Sequence, residues 1–240
     1  MTQPIIRLQQ VSLSFPRVSS PVQSLKRLFT RKKKESFLAL NNVSFDVYKG
    51  EVLGIIGRNG SGKSTVLRVM TGIFPADSGD VLSAGNQTLL SGLGTGFAAH
   101  QTGRENALIF GSTLGRTKEE IESKMQEIID FSELDMFFDQ PLRTYSSGMK
   151  ARLGLAVVSV ITPEILLIDE VLGVGDPKFR EKSKKRILEM VSNAGTVVMV
   201  SHSFALMKSL CNRIIHIHRG RVVFSGDPEK AIESYYKMED

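Results

Sequence analysis

Apolar and polar side chains alternate in two stretches near the start of the chain. Residues 5–14 carry apolar side chains from Ile6 to Leu13 at roughly every second position, and residues 38–47 resume the alternation. A period of about two is typical of strands in a half-exposed sheet. The pattern predicts two strands of one sheet, with the residues between them inserted.

Continuous apolar runs follow, and they favour buried strands. These runs lie at residues 52–56, 165–168 and 196–200, and residues 65–70 follow the first run with helical spacing. Residues 79–90, between turn-forming glycines and prolines, are predicted as one strand. Strands that alternate with helices predict an α/β protein.

A helical pattern interrupts the α/β pattern. Residues 103–140 are predicted to be helical, with Thr117 and Glu120 as a capping box and an apolar stripe behind it that favours core packing. The pattern therefore predicts a mostly helical lobe from about residue 91 to 150. This lobe is inserted into a single domain that spans residues 1–240.

The C-terminal part predicts a hairpin and a final helix. Residues 213–217 and 222–224 favour two strands around Arg219-Gly220. Asp227-Pro228 supplies an N-cap and a first helical position for a helix to about Lys237.

Composition excludes several classes of protein. The chain has 240 residues, of which 41% are hydrophobic and 23% charged, as in ordinary globular proteins. Its apolar runs are far shorter than the ~18 residues of a membrane span, and no signal peptide begins at Met1, so we expect a cytosolic protein. The single cysteine, Cys211, permits no internal disulfide and is predicted to lie in the core.

The net charge of +6 lies in one segment. Residues 17–36 contain seven lysines and arginines and one acidic residue, whereas the rest of the chain is balanced at 24 of each sign. We call residues 17–36 the basic insertion. Its pattern is equally compatible with a solvated loop and with an amphipathic surface helix.

The strongest chemical motif is a P-loop. Gly57-Arg58-Asn59-Gly60-Ser61-Gly62-Lys63-Ser64 fits G-x-x-x-x-G-K-[ST] between a predicted strand and a predicted helix. Its backbone N–H groups can cradle a polyphosphate, its lysine can reach the β- and γ-phosphates, and its serine hydroxyl can ligate Mg²⁺. The predicted nucleotide-binding residues here are Gly57, Asn59, Gly60, Ser61, Gly62, Lys63, Ser64 and Thr65.

Two further strands end in polar residues. Asp169-Glu170 follows the run at 165–168, and Ser201-His202 follows the run at 196–200. Open α/β sheets bind ligands at the carboxyl ends of their strands. These side chains are therefore candidates for a metal site and for catalysis.

Together these motifs resemble the nucleotide-binding domain of an ABC transporter over essentially the whole chain. Tyr145-Ser146-Ser147-Gly148-Met149 stands where that family has its Leu-Ser-Gly-Gly-Gln signature, and residues 173–176 resemble its D-loop. The resemblance implies an α/β P-loop NTPase (RecA-like) core with an N-terminal antiparallel β-subdomain and an inserted helical subdomain.

The resemblance also implies roles for single residues. Asp169 and Ser64 would serve Mg²⁺, Glu170 would act as the base that activates water, and His202 would contact the γ-phosphate. Phe15 stands where the family stacks an aromatic ring on adenine, although a core phenylalanine fits equally well. The signature and D-loop residues Ser146, Ser147, Gly148 and Asp176 would complete the nucleotide site.

In this family the P-loop of one copy and the signature of another enclose the same ATP. The resemblance therefore implies a homodimer, a separate integral membrane transport subunit and a peripheral position on the cytoplasmic face of the bacterial inner membrane. An anionic membrane surface is a further expected partner, because of the basic insertion. No nucleic acid is expected.

Departures from the family pattern resemble one branch of it. The usual Q-loop glutamine, expected near Leu93, is absent, and Thr102-Gly103-Arg104-Glu105-Asn106 and Tyr-Ser-Ser-Gly-Met resemble the ATPases of bacterial exporters for O-antigen, capsule and teichoic acid. The expected function is ATP-driven export of a lipid-linked polysaccharide. The alternatives are the ATPase of another importer or drug exporter, and a soluble ABC-type ATPase that acts on nucleic acid or ribosomes.

Overall fold

The structure, a computed structural model, describes residues 3–16, 36–91, 96–169 and 176–238. Almost all of the basic insertion, Glu170 and the D-loop residues before Asp176 lie outside this range, as does the position near Leu93 where the family has its glutamine. The chain divides into two compact units, Met1–Gly85 with Val200–Asp240 and Asn86–Met199. The helical lobe predicted from 91 to 150 belongs to the second unit.

An antiparallel sheet opens the first unit. Its strands are β1 (Pro4–Pro16), β2 (Ser36–Tyr48) and β4 (Ser78–Ser83), in the order β2-β1-β4. The apolar side chains of β1 are buried as predicted. Their spacing lengthens from two to three between Leu8 and Val11 because Gln10, with φ of 52°, interrupts the register with β2.

The first unit contains three further strands, one of which leads into the P-loop. Strand β3 (Val52–Ile56) pairs in parallel with β8 (Arg213–His218), which forms an antiparallel hairpin with β9 (Arg221–Gly226). This hairpin was predicted from the sequence. Its turn uses Arg219 and Gly220 with φ of 48° and 74°, the left-handed pair that a tight hairpin requires.

The helices of the first unit begin at recognisable caps. They are α1 (Lys63–Met70), α7 (Phe204–Leu210) and α8 (Pro228–Lys237). Asp227 caps α8 by accepting from the backbone N–H groups of Glu229 and Lys230, which confirms the predicted start of that helix. Cys211, just after α7, is buried, and burial raises the pKa of its thiol to about 12.

The prediction of one strand from 79 to 90 is wrong. Strand β4 ends at Ser83, and β5 (Gln87–Leu90) begins in the second unit, where it pairs in parallel with β6 (Ile165–Asp169). Gly85 between them has φ of 91°. That conformation suits glycine and breaks the extended backbone, so the two halves join different sheets.

The second unit contains β5, β6 and, except for its last residue, β7 (Thr196–Val200), in that order, together with most of the helices. The helices are α2 (Gly103–Thr113), α3 (Lys118–Ser123), α4 (Met125–Ser132), α5 (Ser147–Ser159) and α6 (Pro177–Asn193), with 3₁₀ turns at Asp135–Phe137 and Leu142–Thr144.

Residues 103–140 form several short helices rather than a continuous one. Gly115 and Glu133, with φ of 78° and 51°, end helical segments in the left-handed region. The capping box of Thr117 and Glu120 is confirmed, and the apolar stripe behind it packs into the core of the lobe as predicted. In the parts of the chain that the structure describes, every helix is too short or too polar to cross a membrane.

Candidate nucleotide-binding site

The P-loop joins β3 to α1 and is packed too tightly for side chains at two of its glycines. A Cβ on Gly57, which has φ of 153°, would lie 2.2 Å from the carbonyl oxygen of Ile217. A Cβ on Gly62, which has φ of 111°, would lie 2.8 Å from the carbonyl oxygen of Ala39. Both positions therefore need glycine for space and for conformation.

The side chains of the P-loop fit a phosphate ligand. Lys63 folds back across the loop, and its Nζ donates to the carbonyl oxygens of Gly57 at 2.7 Å and Arg58 at 2.9 Å. The buried Ser61 Oγ has no hydrogen-bond partner among the residues that the structure describes. A buried hydroxyl without a partner is costly, and a phosphate oxygen would satisfy it. The loop thus has the donors that a polyphosphate needs.

The two residues expected to serve Mg²⁺ lie in different units. Ser64 is in the first turn of α1, and Asp169 ends β6. Among residues 3–16, 36–91, 96–169 and 176–238, no group of three or more His, Cys, Asp or Glu side chains is placed to hold a metal ion. Mg²⁺ bound with a nucleotide does not need such a cluster, because the ion takes few protein ligands and relies on substrate phosphates and water.

Ser91 is a neighbour of Asp169 that the sequence did not identify. Its Oγ donates to Asp169 Oδ2 at 3.2 Å. Leu90 and Ile168 are partners in the parallel pair of β5 and β6, so the residues that follow them emerge side by side. The sequence predicted β6 correctly but merged β5 into one strand from 79 to 90, so it did not reveal the pairing of β5 with β6.

The signature serine begins the helix that follows it. Ser146 Oγ accepts from the backbone N–H of Met149 at 3.2 Å, and helix α5 runs 13 residues from Ser147. Ser146 and Ser147 are exposed, and Gly148 is half-buried. An exposed N-terminus of a long helix favours binding of an anion.

Tyr145, where the family has leucine, anchors the signature to the helical lobe. Its ring is buried and its hydroxyl donates to the carbonyl oxygen of Phe137 at 2.7 Å. Burial raises the pKa of this hydroxyl to about 12. Gly103 leaves the necessary room, because a Cβ there would lie 2.4 Å from the tyrosine oxygen.

The remaining branch motif, residues 102–106, also has a structural role. Thr102 and Glu105 form a capping box at the start of α2. The buried side chain of Asn106 accepts from the backbone N–H of Ala98 and donates to the carbonyl oxygens of Ala98, Gln101 and Thr102. These contacts fix the turn that follows the Q-loop position.

Asp176 is held by two contacts. It caps α6 by accepting from the backbone N–H of Phe179, and it forms an ion pair with Arg152 of α5. The bond from Phe179 and the charge of Arg152 lower the pKa of Asp176. This carboxylate links the signature helix to the segment after the D-loop.

The candidate residues His202 and Phe15 both lie in the first unit. His202 is exposed on a bend held by Ser201 Oγ, which accepts from the N–H of Ser203 at 3.1 Å. Phe15 is half-buried and packs edge-to-face on Phe74, with 5.4 Å between the ring centroids.

Comparisons with known proteins agree with these motifs. A family model described as ABC transporter matches residues 40–173. The O-antigen export system ATP-binding protein RfbB of Klebsiella pneumoniae is 39% identical over 240 residues, which cover 97% of this chain and 98% of that protein. The teichoic acids export ATP-binding protein TagH of Enterococcus faecalis is 39% identical over 232 residues, which cover 96% of this chain and 52% of that protein.

A solved structure supports the fold independently. The dimeric post-hydrolysis state of the ATP-binding cassette MJ0796, bound to ADP and Pi, matches with a TM-score of 0.70 and 21% identity. The match covers 93% of this chain and 98% of that chain. At this level of identity the likeness concerns the fold alone.

Proposed function

The chain belongs to the ABC transporter family, and on this premise we propose that it is the ATP-hydrolysing motor subunit of an exporter for a lipid-linked cell-surface polysaccharide. The observation that carries the proposal is its 39% identity to an O-antigen export ATP-binding protein over nearly the full length of both chains. The branch motifs at residues 102–106 and 145–149 agree with it.

The P-loop would bind the ATP phosphates through its backbone N–H groups, Lys63 and Ser61. Ser64 and Asp169 would hold Mg²⁺, which supplies charge neutralisation on the β- and γ-phosphates. Glu170 would take the proton of the attacking water, and His202 would orient that water and the γ-phosphate. Phe15 would stack on adenine.

The complete enzyme would be a homodimer that pairs with a separate integral membrane subunit on the cytoplasmic face of the membrane. The exposed N-terminus of α5 would bind the γ-phosphate held by the P-loop of the other copy. Two-fold symmetry then gives two equivalent sites. Closure on ATP and opening after hydrolysis would supply the movement for export.

A genetic test addresses the transported substrate. Disruption of the gene in its own bacterium should remove the surface polysaccharide while the lipid-linked polymer accumulates inside the cell. A wild-type copy should restore export, whereas a stably produced Lys63→Ala copy should not. Normal surface polysaccharide in the disrupted strain would refute the proposed substrate class without refuting ATP hydrolysis.

The basic insertion would bind the anionic membrane surface beside the transport subunit. Each lysine or arginine close to anionic lipid contributes about 1 kcal/mol, and the insertion holds seven such residues. Replacement of Lys26, Arg27, Lys32, Lys33 and Lys34 with serine should weaken binding to vesicles that contain phosphatidylglycerol and leave ATPase activity intact.

A matched control removes five lysines from exposed positions outside the basic insertion. Lys178, Lys184, Lys185, Lys230 and Lys237 are exposed, and their replacement with serine removes the same charge elsewhere. This variant should bind the vesicles like the wild type. Equal binding by both variants would contradict the membrane role of the insertion.

A further inference from the structure

The turn of the β8–β9 hairpin is hydrogen-bonded to the P-loop. The backbone N–H of Gly220 donates to the carbonyl oxygen of Ser61 at 2.8 Å. The carbonyl oxygen of Gly220 in turn accepts from the N–H of Asn41 in β2 at 2.8 Å. Strand β2, the hairpin turn and the P-loop are therefore joined in a row by backbone hydrogen bonds.

The bond to Ser61 fixes the direction of a P-loop donor. A trans peptide is planar, so its C=O and N–H point in opposite directions. Because the carbonyl of Ser61 faces Gly220, the N–H of Gly62 in the same peptide faces away from the hairpin. Gly62 is the N-cap of α1, where backbone N–H groups are available to an anion.

Gly220 can occupy this turn only because it lacks a side chain. It is buried with φ of 74°, and a Cβ there would lie 2.6 Å from the carbonyl oxygen of Ala39. The same oxygen would lie 2.8 Å from a Cβ on Gly62. The turn, β2 and the P-loop thus pack backbone against backbone, with no room for adjustment by flexible side chains.

We propose that Gly220 is a positioning residue for nucleotide binding. Its N–H holds the peptide between Ser61 and Gly62 so that the Gly62 N–H points at the β-phosphate of the bound nucleotide. This role rests on the P-loop assignment of the proposed function. It gives the hairpin, which carries none of the family motifs, a part in phosphate recognition through the Ser61–Gly62 peptide.

Gly220→Ala tests the proposal, with Gly115→Ala as its control. Gly115 has φ of 78° but a Cβ there meets open space among the described residues, so this variant has the conformational cost without the clash. For Gly220→Ala, Kd for ADP and for ATP should rise by about tenfold, the loss of one hydrogen bond. KM for ATP should rise likewise with kcat close to wild type, because the contact is made equally in the ground and transition states.

Gly220→Asn covers the case in which the alanine variant does not fold. Asparagine tolerates positive φ, yet its Cβ meets the same carbonyl oxygen, so Kd should again rise. In addition, the amide resonance of Gly62 should shift on ADP binding in the wild type and in Gly115→Ala, and shift less in Gly220→Asn.

The outcomes distinguish failure of the positioning role of Gly220 from failure of the P-loop assignment. Kd values for the Gly220 variants equal to that of Gly115→Ala would overturn the positioning role, provided that Lys63→Ala still weakens binding. If Lys63→Ala bound ADP and ATP as tightly as the wild type, the P-loop assignment itself would be wrong.

Discussion

At the scale of single residues, the candidate site combines groups that a local motif identifies with groups that only packing identifies. Lys63 and Ser61 belong to the P-loop pattern. The lysine folded across the loop and the buried serine hydroxyl, which lacks a hydrogen-bond partner among the described residues, both fit a phosphate ligand. Ser91 and Gly220 belong to no motif. Their hydrogen bonds are made to residues far along the chain, Asp169 for Ser91 and Ser61 for Gly220, so a local sequence pattern does not reveal these contacts.

The division of roles within the site predicts different effects for two variants. Glu170→Gln keeps the shape of the side chain but removes the proposed base, so kcat should fall by ~10²–10⁴ while ATP binding persists. Lys63→Ala should instead raise Kd for ATP, because the loop loses a cation. Steady-state hydrolysis and equilibrium binding measure both. Hydrolysis by Glu170→Gln at the wild-type rate would mean that another group is the base.

At the scale of elements, the periodicity of apolar side chains predicted the positions of strands and helices more accurately than their ends. Strands β1, β2 and β3, the hairpin and helix α8 follow the predicted pattern. The errors fall at Gly85, Gly115 and Glu133, where left-handed backbone ends an element within a continuous polar and apolar pattern. A strand pattern does not reveal which sheet each half joins, so β4 and β5 were predicted as one strand.

Lys182 joins helix α6 to the end of α4. Its Nζ donates to the carbonyl oxygen of Phe131 at 3.0 Å and to Glu133 Oε1 at 2.8 Å. The hydrogen bond from Lys182 lowers the pKa of Glu133 below its ordinary value. Cations near a helix C-terminus satisfy its last carbonyl groups.

Lys182→Met should therefore destabilise the chain in a pH-dependent way. At pH 7 the free energy of unfolding should fall by about 1 kcal/mol or less, since both groups are partly exposed and screened. Because the folded pKa of Glu133 is lowered, this stabilisation is present above its ordinary pKa of 4.5 and disappears as the pH falls below it. The difference between wild type and variant should shrink in urea melts below that pH. Lys184→Met, exposed on the same helix, is the control and should match the wild type at every pH.

At the scale of the whole molecule, the candidate residues are distributed over the two compact units. The P-loop, Phe15 and His202 belong to the first unit, and Asp169, Asp176 and the signature belong to the second. Motif order along the chain predicted the family and the fold. The chain order could not predict the boundary near residue 85, because long-range pairing of strands sets it.

In the proposed dimeric ATPase, each site takes a P-loop from one copy and a signature from the other. Ser146→Arg should abolish hydrolysis by blocking the signature, and Lys63→Ala should abolish it through the P-loop. In a mixed dimer of the two variants, one site carries both lesions and the other carries neither.

The ATPase activity of this mixture is the most direct measurement. Random exchange of subunits should restore about a quarter of the wild-type activity per chain, since half of the dimers are mixed and each has one intact site. A mixture of Lys63→Ala with Ser64→Ala, which leaves a P-loop lesion in every site, should remain inactive. If the Ser146→Arg and Lys63→Ala mixture is also inactive although the subunits exchange, the shared-site account is wrong.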